Sequence, residues 1–373
     1  MNKYKVCVYA IAKNEEKFVH KWVESMSEAD EIIVADTGST DNTVSLLTSL
    51  GVHVYSIDID PWRFDIARNK SLDYVPEDTD ICVCTDLDEI FDPGWRIKLE
   101  DAWDDSTTRL RYQYTFGFYP DGKPIVTYLY EKIHQRKNFR WIYPVHEILE
   151  YSGTAPDTYA LQQEIHLKHY PDTNKSRGNY LALLELSAKE YPMYDRNIHY
   201  LGREYMFHKK YDQAIETLLY HLTLPTSNWS AERCASMRYI ARCYLNKNDL
   251  DASINWLKKA IEEAPTIRES YIEYAHIAYY QKDWETLLDL VVSALTKTHR
   301  TGSYLDEETS WGYILPDYGS IASYYLGQYT EALNYARAAL FCSPEDSRLQ
   351  TNLKLIEDKY KETHIEEEQN DND

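Results

Sequence analysis

The chain has 373 residues, of which 43% are hydrophobic and 27% are charged. This composition is typical of a globular protein of about two domains, and it excludes collagen and bulk disorder. The formal net charge of −21 argues against a nucleic-acid partner, and the sequence has no run of about 18 apolar residues, which predicts that no helix spans a membrane.

Strand and helix patterns alternate over the first half of the chain. Short apolar segments predict strands at residues 5–12, 31–35, 52–57 and 80–85. Helical spacing of apolar residues predicts helices at 14–26, 41–50 and 64–74. This order favours an α/β fold with a parallel sheet. Further strand-rich stretches at 109–118, 125–135 and 141–149 are expected to add antiparallel strands at the sheet edge.

The second half of the chain predicts helices only, arranged in repeats. Ala241 and Ala275 are 34 residues apart, and so are Ala260 and Ala294. Small residues at this spacing allow two antiparallel helices to approach closely, and the period resembles that of the tetratricopeptide repeat. We expect three to four such units over residues 195–361. The alternative is an irregular helical bundle.

Cysteine usage and the first residues of the chain bear on location. The six cysteines include no C-x-x-C pair, which argues against a zinc ribbon and predicts reduced, mostly buried thiols. The first sixteen residues show no apolar segment of the kind found in signal peptides. Both features predict a cytoplasmic protein.

Acidic residues follow two of the predicted strands. Asp86 and Asp88 come directly after the strand at 80–85, and in an extended chain they point the same way, about 6.6 Å apart. Oxygen ligands of this kind suit Mg²⁺ or Mn²⁺. Asp36 ends the strand at 31–35, which places it at the same edge of a parallel sheet, where ligands bind. A helix-capping turn explains Ser39, Thr40 and Asp41 well but explains Asp36 less well.

Six segments in order resemble family 2 glycosyltransferases with the GT-A fold. They are AIAKNEE (10–16), IIVADTGSTDNT (32–43), WRFDIARNKSL (62–72), CTDLDEIF (84–91), FRWIYPVHE (139–147) and KSRGNYLALLE (175–185). The resemblance implies a GT-A domain at 1–170, followed by a connecting helix at 171–194. The repeat spacing predicts a helical-repeat domain at 195–361, and the acidic, apolar-poor composition predicts a disordered tail at 362–373. Peptide S-glycosyltransferases that modify bacteriocin cysteines are a related group with the same layout.

The resemblance also implies residue roles. It assigns the nucleotide to Ala10, Ala12, Asp36, Arg68 and Asp86, and a divalent cation to Asp86, Asp88 and His146. It implies that a hexose moves from a UDP-sugar to the acceptor with inversion. A hydroxyl acceptor then needs a general base, for which Glu89 is the first candidate and Glu147 the second, whereas a thiol acceptor relaxes that need.

Two other classes of enzyme are disfavoured by the sequence, because it lacks the glycine-rich loops of P-loop nucleotidases and of Rossmann dehydrogenases.

Several alternatives remain open for the acceptor, the repeats and the class of function. The acceptor can be a peptide Cys or Ser, a glycan or a lipid-linked sugar. The repeats can capture the acceptor or form a homodimer. A different class of function is a non-catalytic scaffold, in which the repeats bind peptides and the first domain is inactive.

Overall fold

The protein is described from a computed structural model. The structure describes residues 3–172 and 180–370, without the side chains of 364–370. The chain divides into two compact units, Met1–Tyr191 (unit 1) and Pro192–Asp373 (unit 2). The helix Tyr180–Glu190 therefore belongs to the first unit rather than to a separate connection. Residues 175–179 of the last resembling segment lie outside the described residues.

Unit 1 contains an eight-stranded mixed sheet. Its strands are β1 (Val6–Ala12), β2 (Glu31–Asp36), β3 (His53–Ser56), β4 (Ile81–Cys84), β5 (Glu89–Phe91), β6 (Arg109–Phe116), β7 (Thr127–Gln135) and β10 (Tyr159–His169), in the spatial order β3-β2-β1-β4-β7-β6-β10-β5. The first four strands are parallel neighbours. β7 is antiparallel to β4 and β6, and β5 is antiparallel to β10. The α/β fold class predicted from the sequence is confirmed.

Five helices belong to unit 1 within its described residues. They are α1 (Val19–Met26), α2 (Thr43–Ser49), α3 (Phe64–Asp73), α4 (Trp95–Ala102) and α5 (Tyr180–Glu190). Alternate residues of β1 enter two apolar cores: Val6 and Val8 pack with Trp22, while Cys7 and Tyr9 pack with Leu72. The sheet is therefore covered on both faces, as parallel sheets generally are.

Three details differ from the sequence prediction. The first helix begins at Val19 rather than at residue 14, because Asn14 adopts φ 56°, which a right-handed helix does not allow. The stretch at 141–149 does not extend the main sheet; it contributes to a separate hairpin of β8 (Phe139–Ile142) and β9 (Ile148–Tyr151). The strands β5 and β10 and the helix α4 were not predicted.

Unit 2 is all-helical in its described residues. Its helices are α6 (Asp195–Phe207), α7 (Tyr211–Thr223), α8 (Ser230–Asn246), α9 (Leu250–Glu263), α10 (Arg268–Gln281), α11 (Trp284–Lys297), α12 (Ile314–Tyr325), α13 (Tyr329–Cys342) and α14 (Ser347–Asn370). The small residues of the repeat pattern are buried, including Ala241, Ala260, Ala275 and Ala294. This confirms the predicted repeat architecture.

The last helix continues into the segment predicted to be disordered. α14 reaches Asn370, whereas the acidic composition of 362–373 predicts a tail that does not order itself. Propagation from a packed helix explains the difference, since each further residue adds one hydrogen bond once a helix is nucleated. Ile356 of α14 packs against Leu333 of α13, and this contact anchors the part of the helix from which the rest propagates. No helix within the described ranges is long and apolar enough to cross a bilayer.

Candidate active site

The carboxyl ends of β1, β2 and β4 lie at one edge of the sheet. Ala12 pairs with Asp36 in the register of β1 with β2, and Tyr9 pairs with Cys84 in the register of β1 with β4. Asp36 thus ends β2, and Asp86 follows the end of β4 at the same edge. The parallel order of these strands confirms the prediction that Asp36 and Asp86 lie at the same edge of the sheet.

A tight turn presents the two aspartates after β4. The chain does not stay extended past Cys84: the Glu89 N–H donates to the Asp86 carbonyl at 3.0 Å. Glu89 Oε2 accepts from the Asp86 N–H at 2.9 Å, and Glu89 Oε1 accepts from the Tyr114 hydroxyl at 3.0 Å. Leu87 is buried beneath, while Asp86 and Asp88 are half-buried. The turn that Glu89 closes therefore buries Leu87 and leaves both aspartates half-buried.

Two buried cations hold Asp86. Arg68 Nη1 lies 3.0 Å from Asp86 Oδ1, and Lys132 Nζ lies 3.3 Å from Oδ2. Burial alone would raise the pKa of Asp86, but the charges of Arg68 and Lys132 outweigh it and hold that pKa well below its ordinary value. Asp86 is consequently ionised whenever the protein is folded at neutral pH.

Arg68 is buried and links α3 to the hairpin of β8 and β9. Its Nε donates to Glu147 Oε1 at 2.5 Å, and its guanidinium lies 5.1 Å from the ring centroid of Trp141. Its exposed fraction is only 5%, which excludes an ordinary helix-surface arginine. The structure thus brings the predicted residues Arg68, Asp86 and Glu147 together in one network.

Glu89 lies beneath the turn rather than in front of it. Its exposed fraction is 1%, and Lys132 Nζ lies 3.5 Å from Oε1 in addition to the two bonds described above. Burial is the main reason that the pKa of Glu89 is raised, and Asp86 adds to that effect, while Lys132 opposes it. A carboxylate so enclosed does not reach an acceptor in this structure.

The second aspartate contacts a histidine that was not predicted. His169 ends β10, and its Nε2 lies 3.2 Å from Asp88 Oδ2. The register of β10 with β5 sets this contact, because His169 pairs with Glu89 directly after the turn. The Nδ1 atom of His169 is buried and has no hydrogen-bond partner among the residues that the structure describes. The sequence signal that could have identified His169 is the presence of two histidines three residues apart, His166 and His169.

His146 lies in the connection between β8 and β9, next to Glu147. It adopts φ 50°, and its Nε2 lies 3.0 Å from the Tyr180 hydroxyl. Within residues 3–172 and 180–370, no three or more His, Cys, Asp or Glu side chains are grouped so as to hold a metal ion. The assignment of a cation to Asp86, Asp88 and His146 stays a prediction.

The residues assigned to the nucleoside are engaged within the fold. The Ala10 carbonyl accepts from the Ser71 hydroxyl at 2.8 Å, and the Ala12 carbonyl accepts from the Thr37 N–H at 2.9 Å. Both oxygens of Asp36 accept hydrogen bonds from the following turn, among them the Ser39 N–H at 3.0 Å. The turn therefore accounts for Asp36 more fully than the sequence suggested, and the nucleoside role of these residues stays a prediction.

Known proteins similar to the chain were found for both units. The glycosyltransferase LpsC of lipopolysaccharide core biosynthesis from Rhizobium meliloti (strain 1021) is 24% identical over 202 residues, which are 49% of this chain and 63% of LpsC. The chain thus spans less than two thirds of this curated relative. A crystal structure of glucosyl-3-phosphoglycerate synthase from Mycobacterium tuberculosis with Mn²⁺, UDP and glucosyl-3-phosphoglycerate is 26% identical, covering 30% of this chain and 44% of that one with a TM-score of 0.27. YrrB, described as a TPR protein with an unusual peptide-binding site, is 12% identical, covering 47% of this chain and 81% of that one with a TM-score of 0.34.

The family match falls on the unit that carries the candidate site. The sequence model of glycosyl transferase family 2 matches residues 7–151. That range contains Arg68, Asp86 and Glu147, which the structure joins in one network, and it ends before His169. Over residues 7–151, the chain is therefore similar to glycosyl transferase family 2.

Proposed function

We propose that this chain is a metal-dependent, inverting glycosyltransferase that moves a hexose from a UDP-sugar to a peptide Cys or Ser side chain. One observation carries the proposal: Asp88 contacts His169 at the sheet edge where buried Arg68 and Lys132 fix Asp86. The family match supports the nucleotide-sugar donor. The peptide acceptor is our own choice, taken from the expected relation to bacteriocin-modifying S-glycosyltransferases.

The donor atoms at this edge suit a divalent cation. Asp88 offers carboxylate oxygens and His169 offers an imidazole nitrogen, and Mn²⁺ accepts both kinds of ligand. We therefore assign the cation to Asp88 and His169, with Asp86 beside them in the same turn. His146 was the histidine assigned by resemblance, but its contact with Tyr180 favours a role in positioning the β8–β9 connection. A bound cation stabilises the negative charge that develops on a leaving diphosphate.

The charges at the edge support a role for a cation. Among the described residues, the carboxylates of Asp86, Asp88, Glu89 and Glu147 meet the side chains of Arg68, Lys132 and His169 there. Arg68 and Lys132 are paired with these carboxylates, which leaves little positive charge for the diphosphate of a sugar donor. A divalent cation held by Asp88 and His169 would supply that positive charge.

The two candidate bases differ in accessibility. Glu89 is enclosed by Tyr114, Lys132 and the Asp86 amide, so we assign it a positioning role for the turn. Glu147 binds Arg68 through Oε1, and its side chain is 11% exposed, which leaves it the better candidate to approach an acceptor. A cysteine acceptor needs a base less, because its thiol ionises more readily than a hydroxyl.

Donor turnover tests the proposal. The purified chain would be incubated with a panel of UDP-sugars and Mn²⁺, and UDP release would be followed with and without candidate Cys- and Ser-containing peptides, whose mass would be measured. We expect one sugar to be turned over and one peptide to gain a hexose mass. Asp88→Asn should abolish both signals. A chain that binds peptides but releases no UDP from any donor would instead support the non-catalytic scaffold.

Matched histidine variants test the assignment of the cation. His169→Ala should lower metal-dependent UDP release by at least tenfold, as expected when a metal ligand is removed. His166→Ala is the control, because His166 lies on the same strand but contacts Thr115 and Asp92 instead of Asp88. Equal losses in the two variants would contradict the assignment, and a loss confined to His146→Ala would restore the ligand set implied by resemblance.

A further inference from the structure

The strands β6 and β10 end beside the candidate active site. They are parallel to each other, and β7 lies antiparallel to both β4 and β6. β6 and β10 therefore run in the same direction as β4, and their carboxyl ends reach the sheet edge at which Asp86 and Asp88 lie. Ligands bind at this edge in open α/β sheets. Side chains at the ends of β6 and β10 are consequently placed where a substrate can touch them.

Phe116 ends β6 next to the histidine of the site. In the register of β10 with β6, Phe116 pairs with His169, and the centroids of the two rings lie 5.1 Å apart. His169 in turn contacts Asp88, with Nε2 3.2 Å from Oδ2. Phe116 is nevertheless 41% exposed. A large apolar ring thus faces solvent directly beside the residue that we assign to the cation.

Tyr170 and Phe118 provide a second pair of rings at the same edge. The Tyr170 N–H donates to the Asp88 carbonyl at 2.8 Å, which ties Tyr170 to the turn that follows β4. The Tyr170 and Phe118 rings are stacked, with their centroids 5.1 Å apart. Tyr170 is 45% exposed, so this pair also presents apolar surface to solvent next to the candidate site.

The connection between β6 and β7 packs against the segment that follows β10. Within this connection, the Ile125 N–H donates to the Gly117 carbonyl at 3.0 Å. Gly117 adopts φ 78°, and a Cβ added there would lie 3.2 Å from Ile125 Cδ1 and 3.8 Å from Pro171 Cδ. Ile125 is itself exposed. The apolar side chains at the ends of the two strands therefore form one surface, which we call the apolar rim: Phe116, Phe118, Ile125 and Tyr170.

The apolar rim lies where an acceptor has to pass. Contiguous apolar patches are uncommon on protein surfaces and mark interaction sites or ligand grooves. An acceptor peptide must bring its reacting side chain to the donor at Asp88 and His169, and an extended peptide advances about 3.3–3.6 Å per residue. The Phe116 ring lies 5.1 Å from that of His169, so it is within reach of residues one or two places from the reacting one.

We propose that the apolar rim selects acceptor peptides that carry an aromatic or other large apolar side chain one or two residues from the Cys or Ser that receives the sugar. Phe116 is the main specificity-determining residue, because its ring lies beside His169 and is exposed. This inference rests on the proposed glycosyl transfer and adds a sequence requirement to its acceptor. Contact between the acceptor side chain and the rim removes apolar surface of both from water, which favours binding.

Two fluorescein-labelled peptides test this requirement. One has the order Gly-Phe-Cys-Phe-Gly, and in the other both Phe residues are replaced by Gly. Their gain of hexose mass would be followed with Mn²⁺ and the UDP-sugar that the chain turns over. We expect kcat/KM of the unchanged chain to be at least tenfold higher for the Phe peptide, mainly through a lower KM. Phe116→Ala should reduce this preference to less than about threefold, and Phe116→Leu should retain most of it.

Leu161→Ala is the matched control. Leu161 is an exposed apolar residue of β10, but it pairs with Arg111 toward the other end of β6. This variant should keep the preference of the unchanged chain. Equal kcat/KM for the two peptides in the unchanged chain, or a full preference in Phe116→Ala, would overturn the proposal. Transfer to maltotriose in place of both peptides, reduced in Phe116→Ala, would overturn it as well, because the rim would then stack on a sugar.

Peptide binding separates a failure of this inference from a failure of the proposed function. Fluorescence anisotropy would measure the affinity of both peptides in the presence of UDP and Mn²⁺, without any turnover. Should no UDP-sugar be turned over, the proposed glycosyl transfer fails, but tighter binding of the Phe peptide that Phe116→Ala abolishes would still support selection by the rim. Equal affinities of the two peptides for the unchanged chain would contradict that selection.

Discussion

Arg68 is buried and forms an ion pair with half-buried Asp86, in which Nη1 lies 3.0 Å from Oδ1. The pair joins α3 to the turn after β4, and the same guanidinium reaches Glu147 in the hairpin connection. Breaking a buried pair is costly because the remaining charge stays uncompensated. The position of the turn at the candidate site therefore depends on a helix that precedes it in the chain.

Arg68→Met should destabilise unit 1 by about 3–5 kcal/mol, because Asp86 and Glu147 both lose their partner. Arg68→Lys should cost less, since a lysine keeps the charge but cannot form the same fork of hydrogen bonds. The free energy of unfolding in guanidinium chloride would measure both. Arg140→Met is the control: its pair with Asp73 lies at the surface, and about 1 kcal/mol or less is expected. Equal costs for Arg68→Met and Arg140→Met would contradict this account.

Glu89→Gln separates a positioning role from that of a base. Glutamine keeps one oxygen for the Asp86 amide but leaves Lys132 with one carboxylate fewer, so the turn should loosen. We expect the affinity for UDP in the presence of Mn²⁺ to fall about tenfold. The decrease of kcat at low pH should be the same as in the unchanged chain. A general base would behave in the opposite way, with unchanged affinity and a lost acidic limb. Glu147→Gln should show that second pattern.

Unit 1 should lose stability as the pH falls below about 6.5. Burial lowers the pKa of His134 from 6.5 to about 3. The two ring nitrogens of His134 form hydrogen bonds with the Tyr9 hydroxyl and the Gln135 carbonyl. The unfolded chain therefore binds a proton near pH 6.5 that the folded chain does not bind until about pH 3. This contribution is complete above pH 6.5 and is lost on acidification at roughly 1.4 kcal/mol per pH unit.

Urea unfolding at pH 7.5, 6.0 and 5.0 would measure the effect. His134→Gln should flatten the dependence of the unfolding free energy on pH, because glutamine does not titrate. His53→Gln, at an exposed position of β3, should leave the slope unchanged. An identical slope in the unchanged chain and in His134→Gln would show that the imidazole is not held neutral by the fold.

A glycine sets the distance between α6 and α7. A Cβ added at Gly202 would lie 2.5 Å from Leu218 Cγ, and Leu218 is fully buried. Gly202→Ala should therefore destabilise unit 2 by about 1–3 kcal/mol despite the better helix propensity of alanine. Gly312→Ala meets no atom within 4 Å and should change the melting temperature little. A Gly202→Ala variant that melts as late as Gly312→Ala would contradict the close packing.

The sequence predicted the site residues that follow short, buried strands, and it missed one residue on each of two longer strands. β1, β2 and β4 are short apolar runs buried on both faces, so Asp36 and Asp86 could be placed at one edge. β10 gave no such signal, because its first half is largely exposed and its pairing with β6 is irregular between Gln162 and His166. His169, at its end, was missed for that reason.

Lys132 was missed for a different reason. The strand β7 was predicted, but nothing in its sequence indicates that a lysine faces inward. Its burial follows from the neighbours that β7 acquires in the sheet, β4 on one side and β6 on the other. The local periodicity of a sequence does not indicate which strands pair over long range. The repeat spacing of unit 2 is a local pattern, and the burial of its alanines was therefore predicted correctly.

Titration calorimetry of UDP binding tests the central claim most directly, since it needs neither the sugar nor the acceptor to be known. The unchanged chain should bind UDP in the presence of Mn²⁺ at least tenfold more tightly than with excess chelator, and Asp88→Ala should abolish that difference. A chain that binds UDP equally with and without the cation, or an Asp88→Ala variant that keeps the full difference, would contradict the account.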